Sequence, residues 1–588
     1  MKHHTWITLG AALAALAAAM TASAQDADTK LDAFFHQYLE ETFHQRPTEA
    51  TRLGDHRFDN LLDDISDPAR AGWLAHARRT LTQLPKQIDK TKLTRDGQVD
   101  FEIFQHHLET EIWLAQNFHP FADDPRTYGE YINGSVYALL TQSTLPRETN
   151  LANAMARMAE IPRVLAVARA TLAHPPKVML DTAIRQNRGA IAFYEKEIFQ
   201  LTGDTPRGER LQSACAAAAA ALRDYQKFLE DDLAARATGQ WRAGRAKFSR
   251  KLELELDAGR TADQVFADAQ AEFARVRGDM FVVARQLWNQ YYPKTVPLPD
   301  DSQGRRDTIN KVIAAVNQEH GRPEDLARDA RATVENIKAF IREHDLLRLP
   351  DPDLCQVIEM PEFQRGNAVA FMESAPPLDP KAASFYDISP PPSDWTPAQV
   401  TSFLEEYNRH MLQILTIHEA YPGHYVQLEY AHRNPSLIRK VFASGPYVEG
   451  WAVYGEQNML DCGCGGGDLR LRLMQQKFYL RAVANAILDH NMHCANLSDE
   501  DALKFLMDDA FQSEGEARLK VIRAKQSSTQ LSTYFVGRMA HYRLRQAIER
   551  ELGGQFDLGR FHEAVLFPGS VAVKYLPELV RARLHQPR

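Results

Sequence analysis

The chain has 588 residues, 44% of them hydrophobic and 25% charged, with a formal net charge of −8. That composition is globular, and its dispersed acidic residues argue against nucleic acid or an anionic membrane as partner. The five cysteines, Cys215, Cys355, Cys462, Cys464 and Cys494, are too few for a disulfide framework; one bridge is allowed, and an odd thiol must remain.

Lys2 precedes a short apolar run, WITLGAALAALAAAM, that ends in Thr21-Ala22-Ser23-Ala24. A basic start, an apolar middle and an A-x-A end read as a signal peptide cut after Ala24. The mature chain is therefore expected to be exported, periplasmic where the cell has two membranes, with no later segment suited to crossing a bilayer.

From Leu31 to about His344, apolar residues recur at three- and four-residue spacing among Ala, Leu, Glu, Arg and Gln, which predicts helix after helix. The stretches 211–237 and 262–292 are examples. Clusters at Pro120–Pro125, Pro175–Pro176 and Pro293–Pro299 break the run into hairpins. Between Pro350 and Pro392 the texture changes. LCQVIEMP and NAVAFMESAP predict two strands, and DISPPPSDWTP an extended connector. NAVAFMESA is the expected edge strand against which an extended substrate would pair by backbone hydrogen bonds.

Helices then resume, and the first carries HEAYPGH, His418 to His424. In the zinc-protease motif H-E-x-x-H the two histidines stand four apart on one helical face. Here they stand six apart, which puts them about 120° apart around a regular helix. Pro422 cannot join the helical ladder and Gly423 tolerates almost any backbone angle. A wide turn or π-bulge is therefore expected to bring His424 back toward His418. Glu419 then becomes the general base, and a third ligand is expected from PYVEGWAVYGE, where Glu449 opens a helix. Glu456 lies two turns later on the same face. Together with Tyr447 and Tyr454 it is a candidate for orienting the histidines.

Cys462-Gly-Cys464 with the glycines after it reads as a loop without metal. RAVANAILDHNMH places Asp489 and His493 four apart, with Arg481 two turns earlier. These residues are candidates for holding substrate or a developing oxyanion, His493 as a catalytic donor and Asp489 in support. His490 and His493 are a weaker candidate for a second metal pair. Tyr534, in STYFVGR, is a possible phenolic donor to a tetrahedral intermediate. No G-x-S-x-G elbow and no phosphate loop are present, and GCGGGD lacks the strand a dinucleotide fingerprint needs.

At RPTEATRLGDHRFD, DPRTYGEY, SAPPLDPKAASFYDISPPPSDW, HEAYPGHYVQ, YVEGWAVYGE and FHEAVLFPGSVAVKYL the chain resembles the bacterial family catalogued as domain of unknown function 885. The resemblance covers nearly the whole mature chain. That family resembles helical zinc metallopeptidases of the gluzincin type. The resemblance thus implies His418, His424 and Glu449 as ligands of one Zn2+, with Glu419 as base. One departure is Phe535, where family members tend to carry lysine after the late tyrosine.

The combined expectation is a mostly α protein with a small β-sheet and a deep active-site cleft. Residues 1–24 form the leader, 25–350 an N-terminal helical region and 351–588 the zinc-bearing region, with one continuous family domain over 25–588. The expected reaction is hydrolysis of peptide or related amide bonds in short substrates. Exo- or oligopeptidase action is favoured, with carboxypeptidase action slightly preferred because Arg481 could hold a terminal carboxylate. The alternatives are a catalytically inactive peptide- or metal-binding protein, or a non-peptidase amidase.

Overall fold

The structure, a computed structural model, describes residues 4–360, 370–393 and 395–586, with side chains from residue 24 onward. The leader expected over residues 1–24 lies almost wholly outside the described side chains. The described fold is 73% helix and 3% strand, which is the mostly helical architecture that the periodicity predicts.

Two of the three proline clusters fall between helices as expected, while the third holds the short helix Pro120–Asp123. Pro175 and Pro176 separate Arg147–Thr171 from Lys177–Ala192, and Pro293–Pro299 separates Ala262–Tyr291 from Ser302–Asn317. The helix Ala262–Tyr291 (α1) starts on a Thr261–Gln264 capping box, in which two backbone donors are satisfied reciprocally. It buries Val265, Ala269, Val276, Met280 and Val283 at the three- and four-residue spacing of one helical face. Six further helices build the site region: Arg409–Glu419 (α2), His424–His432 (α3), Gly445–Asp461 (α4), Leu469–Cys494 (α5), Glu514–Gln526 (α6) and Thr533–Leu552 (α7). The helix α4 packs along α7, and α1 along α5. The core around them includes Phe248, Ile309 and Ile341. Helices just ahead of Pro350 thus pack with the site rather than apart from it.

The sheet has three strands: Cys355–Glu359 (β1), Ala370–Glu373 (β2) and Ser384–Ile388 (β3), in the order β1-β3-β2. The first two are the expected ones, although the Asn367–Val369 part of the expected edge strand lies outside the described residues. The third corrects the reading of a connector beginning at Asp387. Although Asp387 stands just ahead of a proline run, SFYDI is the central strand. It pairs in parallel with β1 and antiparallel with β2. Its Tyr386 hydroxyl meets Thr416 Oγ1 at 3.1 Å, which ties the sheet to α2. A cavity of about 990 Å3 is lined by Arg46, His107, Glu111 and Trp241 from the N-terminal region and by His493 and Ser528 from the C-terminal region.

Candidate metal centre

The helix α2 begins where the Asn408 side chain accepts the His410 and Met411 N–H groups, and it ends at Glu419. Its last residues are therefore His418 and Glu419. The chain then turns through Ala420–Gly423, and α3 starts at His424. The extra residues form a complete break between two helices, not a π-bulge inside one. Gly423 is required there because a Cβ on it would lie 1.8 Å from the His418 carbonyl oxygen. The Trp451 Nε1–H donates to the Pro422 carbonyl at 2.8 Å and pins the turn to α4.

The turn brings the two rings together, their centroids 4.7 Å apart and nearly perpendicular. Glu449 reaches both, its Oε2 lying 3.8 Å from His418 Nε2 and 3.5 Å from His424 Nε2. The ligand atoms of His418, His424 and Glu449 all lie within 4.8 Å of one another, the one such group of three or more His, Cys, Asp or Glu among the described residues. That Oε2 is buried, with no hydrogen bond among the described residues. A buried carboxylate oxygen left unbonded costs free energy that a cation would return. Two imidazoles and a carboxylate are also the nitrogen and oxygen donors of a three-ligand catalytic zinc site. The residues fit the metal.

Glu456, fully buried, takes the His418 Nδ1–H on Oε1 at 2.7 Å. That bond fixes the ring and leaves the Nε2 lone pair facing Glu449 and His424. Burial, with the charge of His424 beside it, lowers the His418 pKa to about 3, so the ring is neutral as a ligand must be. Burial alone would lower the His424 pKa, but Glu449 and Glu419 outweigh it and raise it. Burial would raise the Glu449 pKa, but the two histidines and the Tyr534 hydroxyl outweigh it and lower it.

Glu419 stands beside this group, and its Oε2 accepts the Met372 N–H of the edge strand β2 at 3.0 Å. Burial pushes its pKa up to about 7; the Glu449 charge adds to the shift, while His424 and the Met372 N–H oppose it. A carboxylate near pH 7 can both take and return a proton.

The structure brings His418, His424, Glu449, Glu419, Glu456 and Tyr534 together, and Tyr534 also receives Arg523 Nη2 at 3.4 Å. It places the other candidates elsewhere. Tyr447 donates to the Val565 carbonyl, and Tyr454 pairs with His562, so neither hydroxyl orients a ligand. The two rings of His490 and His493 serve separate contacts: His490 stacks on Phe266, and both nitrogens of His493 are bonded to backbone. Asp489 accepts from Thr529 N–H and Ser532 Oγ–H. Arg481 is paired with Glu516 at 2.8 Å. Its charge still helps to lower the His418 pKa, and Phe478 contacts both its guanidinium and the His418 ring. No cysteine is bridged among the described residues. The Met372 N–H was not legible in the sequence, because a backbone donor has no residue type to flag it.

Comparison with solved structures finds the same fold in a protein from Shewanella oneidensis, described as "a putative lipoprotein of unknown function". The two are 29% identical, with a TM-score of 0.79 over 93% of this chain and 99% of that one. A second, described as "the putative lipoprotein from Colwellia psychrerythraea", is 18% identical with a TM-score of 0.76, over 95% of this chain and 99% of that one. No curated protein matches. Residues 47–580 match the family model described as bacterial protein of unknown function (DUF885), and the chain belongs to that family.

Proposed function

We propose that the protein is a zinc-dependent hydrolase that cleaves peptide or related amide bonds in short substrates. The observation that carries this reading is Glu449 Oε2, buried and unbonded, facing the Nε2 atoms of both His418 and His424. Those three side chains would hold the metal, and zinc bound there would supply Lewis acidity, polarising a carbonyl and lowering the pKa of water toward about 7.

The chain's own residues do the rest. Glu419, steadied by the Met372 N–H, takes the proton of the attacking water and returns it to the leaving amine. Glu456 holds His418 in the tautomer that leaves Nε2 free. Tyr534, beside Glu449, donates to the oxygen that gains charge. Among the described residues no strand covers the outer edge of β2, so an extended substrate can align along it by backbone pairing.

An exported setting is supported by the leader pattern and by the description of both structural relatives as lipoproteins. No helix among the described residues is long and apolar enough to cross a membrane.

The experiment is metal analysis beside a peptide-library digest. About one zinc per chain is expected, with His424→Ala releasing most of it. Glu419→Gln should keep the zinc while turnover falls at least about a hundredfold. Full metal retention in His424→Ala would sink the reading. Metal binding without hydrolysis in wild type would leave a binding protein in its place.

A further inference from the structure

Alternation along β2 and β3 sends Ala370, Met372 and Tyr386 to the sheet face that packs on α2, and Phe371, Glu373 and Asp387 to the opposite face. On that second face Phe371 stands opposite Asp387, and Glu373 opposite Phe385. Glu373 and Asp387 are thus diagonal neighbours, about 7–8 Å apart along the ladder and within side-chain reach of each other. Asp387 is 2% exposed, and its Oδ2 has no hydrogen-bond partner among the described residues. Glu373 is only half-buried, and one of its oxygens takes the amide N–H of Gln142 from the N-terminal region.

Burial pushes the Asp387 pKa up to about 7, and the Glu373 charge adds to the shift. Burial raises Glu373 as well, with only the Gln142 amide opposing it. Among the described residues no cation offsets either carboxylate: Gln142 supplies one neutral donor, and two acids remain side by side. Such a pair either retains a proton or takes up a positive group.

Its position says what kind of group. Glu373 directly follows Met372, whose N–H holds the base Glu419. A substrate aligned on the outer edge of β2, which no described strand covers, therefore runs past this acidic pair within a residue or two of the reacting bond. A terminal carboxylate would be repelled there. On α5, Arg481 already has Glu516 as its partner.

Resting on the hydrolase reading above, we infer that Glu373 and Asp387 form an ammonium subsite that receives the free α-amino group of a short peptide, so that the enzyme reads its substrates from the amino end. The same chemistry would accept a lysine side chain, and the test separates the two sources.

The test is calorimetric binding to the zinc-loaded Glu419→Gln protein. Three short peptides are compared: one with a free amino terminus, its N-acetylated form, and an N-acetylated form carrying an internal lysine. The free amine should bind at least about tenfold tighter than both acetylated forms. Asp387→Asn with Glu373→Gln, or Glu373→Gln alone if the double variant does not fold, should remove most of that difference. Equal binding of the free and acetylated peptides, no binding of any of them, or a preference that survives the substitutions would overturn the subsite. Recovery of tight binding by internal lysine alone would assign the pair to a side chain and overturn the amino-end reading. Hydrolysis by the wild type is followed in parallel. Equal cleavage of free and blocked peptides would end this inference and leave the hydrolase standing. Amine-dependent binding without any cleavage would do the reverse.

Discussion

Gly450 on α4 meets Gly537 on α7 backbone to backbone: a Cβ on Gly450 would lie 2.3 Å from the Gly537 carbonyl carbon. The two helices approach this closely only because both residues lack side chains, and the contact sets the depth of α4, which carries Glu449 and Glu456. Gly450→Ala should therefore force the helices apart, costing at least about 2 kcal/mol as overpacking does. It should also weaken zinc binding by moving Glu449. Thermal melts and metal titration check both effects; an alanine accommodated without either would show that the contact does not position the site.

Glu456 touches neither Nε2 atom that faces Glu449, yet it holds His418 Nδ1. Replacing it with glutamine keeps the size but puts an amide in place of the carboxyl group that meets His418 Nδ1 in a fully buried place. Zinc affinity should fall about 10- to 100-fold, the usual effect of losing the group that orients a histidine ligand. Competition against a chelator measures it. Unchanged affinity would mean that packing alone fixes the His418 ring.

The parts of the site that were legible in the sequence are those carried by residue type and spacing. Two histidines with a proline and a glycine between them, followed by two glutamates seven residues apart, sufficed to place His418, His424, Glu449 and Glu456 together. Spacing did not distinguish a bulge from a complete helix break, since Pro422 and Gly423 serve either. It also failed for Tyr447, Tyr454 and His493, which sit on buried faces like true ligand supports but bond to Val565, His562 and the backbone. The strand β3 was hidden because five residues with an acid, running into prolines, look like a connector until partners flank them on both sides. The Met372 N–H and the Glu373–Asp387 pair depend on strand register, which no local pattern in the chain reveals.

His493 gives a direct test of that distinction. Its Nδ1 accepts the Ala243 N–H at 3.2 Å, and its Nε2–H faces the Ala524 and Ser527 carbonyls. The ring lies on Phe248. With both nitrogens bonded, it is a tie between the Gln240–Ala243 segment, α5 and the end of α6. His493→Ala should cost about 2–4 kcal/mol of stability, as expected for lost buried hydrogen bonds and packing. Zinc content and turnover per folded molecule should stay within about twofold of wild type. A large fall in turnover with zinc and stability intact would return His493 to the catalytic set.

Asp489 should make stability depend on pH in a direction its bonds do not suggest. It is completely buried on α5 and accepts Thr529 N–H and Ser532 Oγ–H, holding the turn that leads into α7 and Tyr534. Burial pushes its pKa up to about 7, although both bonds and the Lys251 charge pull the other way. An unfolded aspartate titrates near 3.9, so between about pH 4 and 7 the folded chain holds a proton that the unfolded chain has lost. The resulting contribution is fully present below about pH 4 and is lost as pH rises through about 7. Asp489→Asn carries no titrating group, although its amide can satisfy only one of the two donors. The stability of wild type relative to this variant should therefore fall from pH 5 to about pH 7 and level off by pH 8, read as the difference between their urea midpoints at constant ionic strength. A difference that stays flat across that range would mean that Asp489 is ionised throughout, with its two donors and Lys251 outweighing burial.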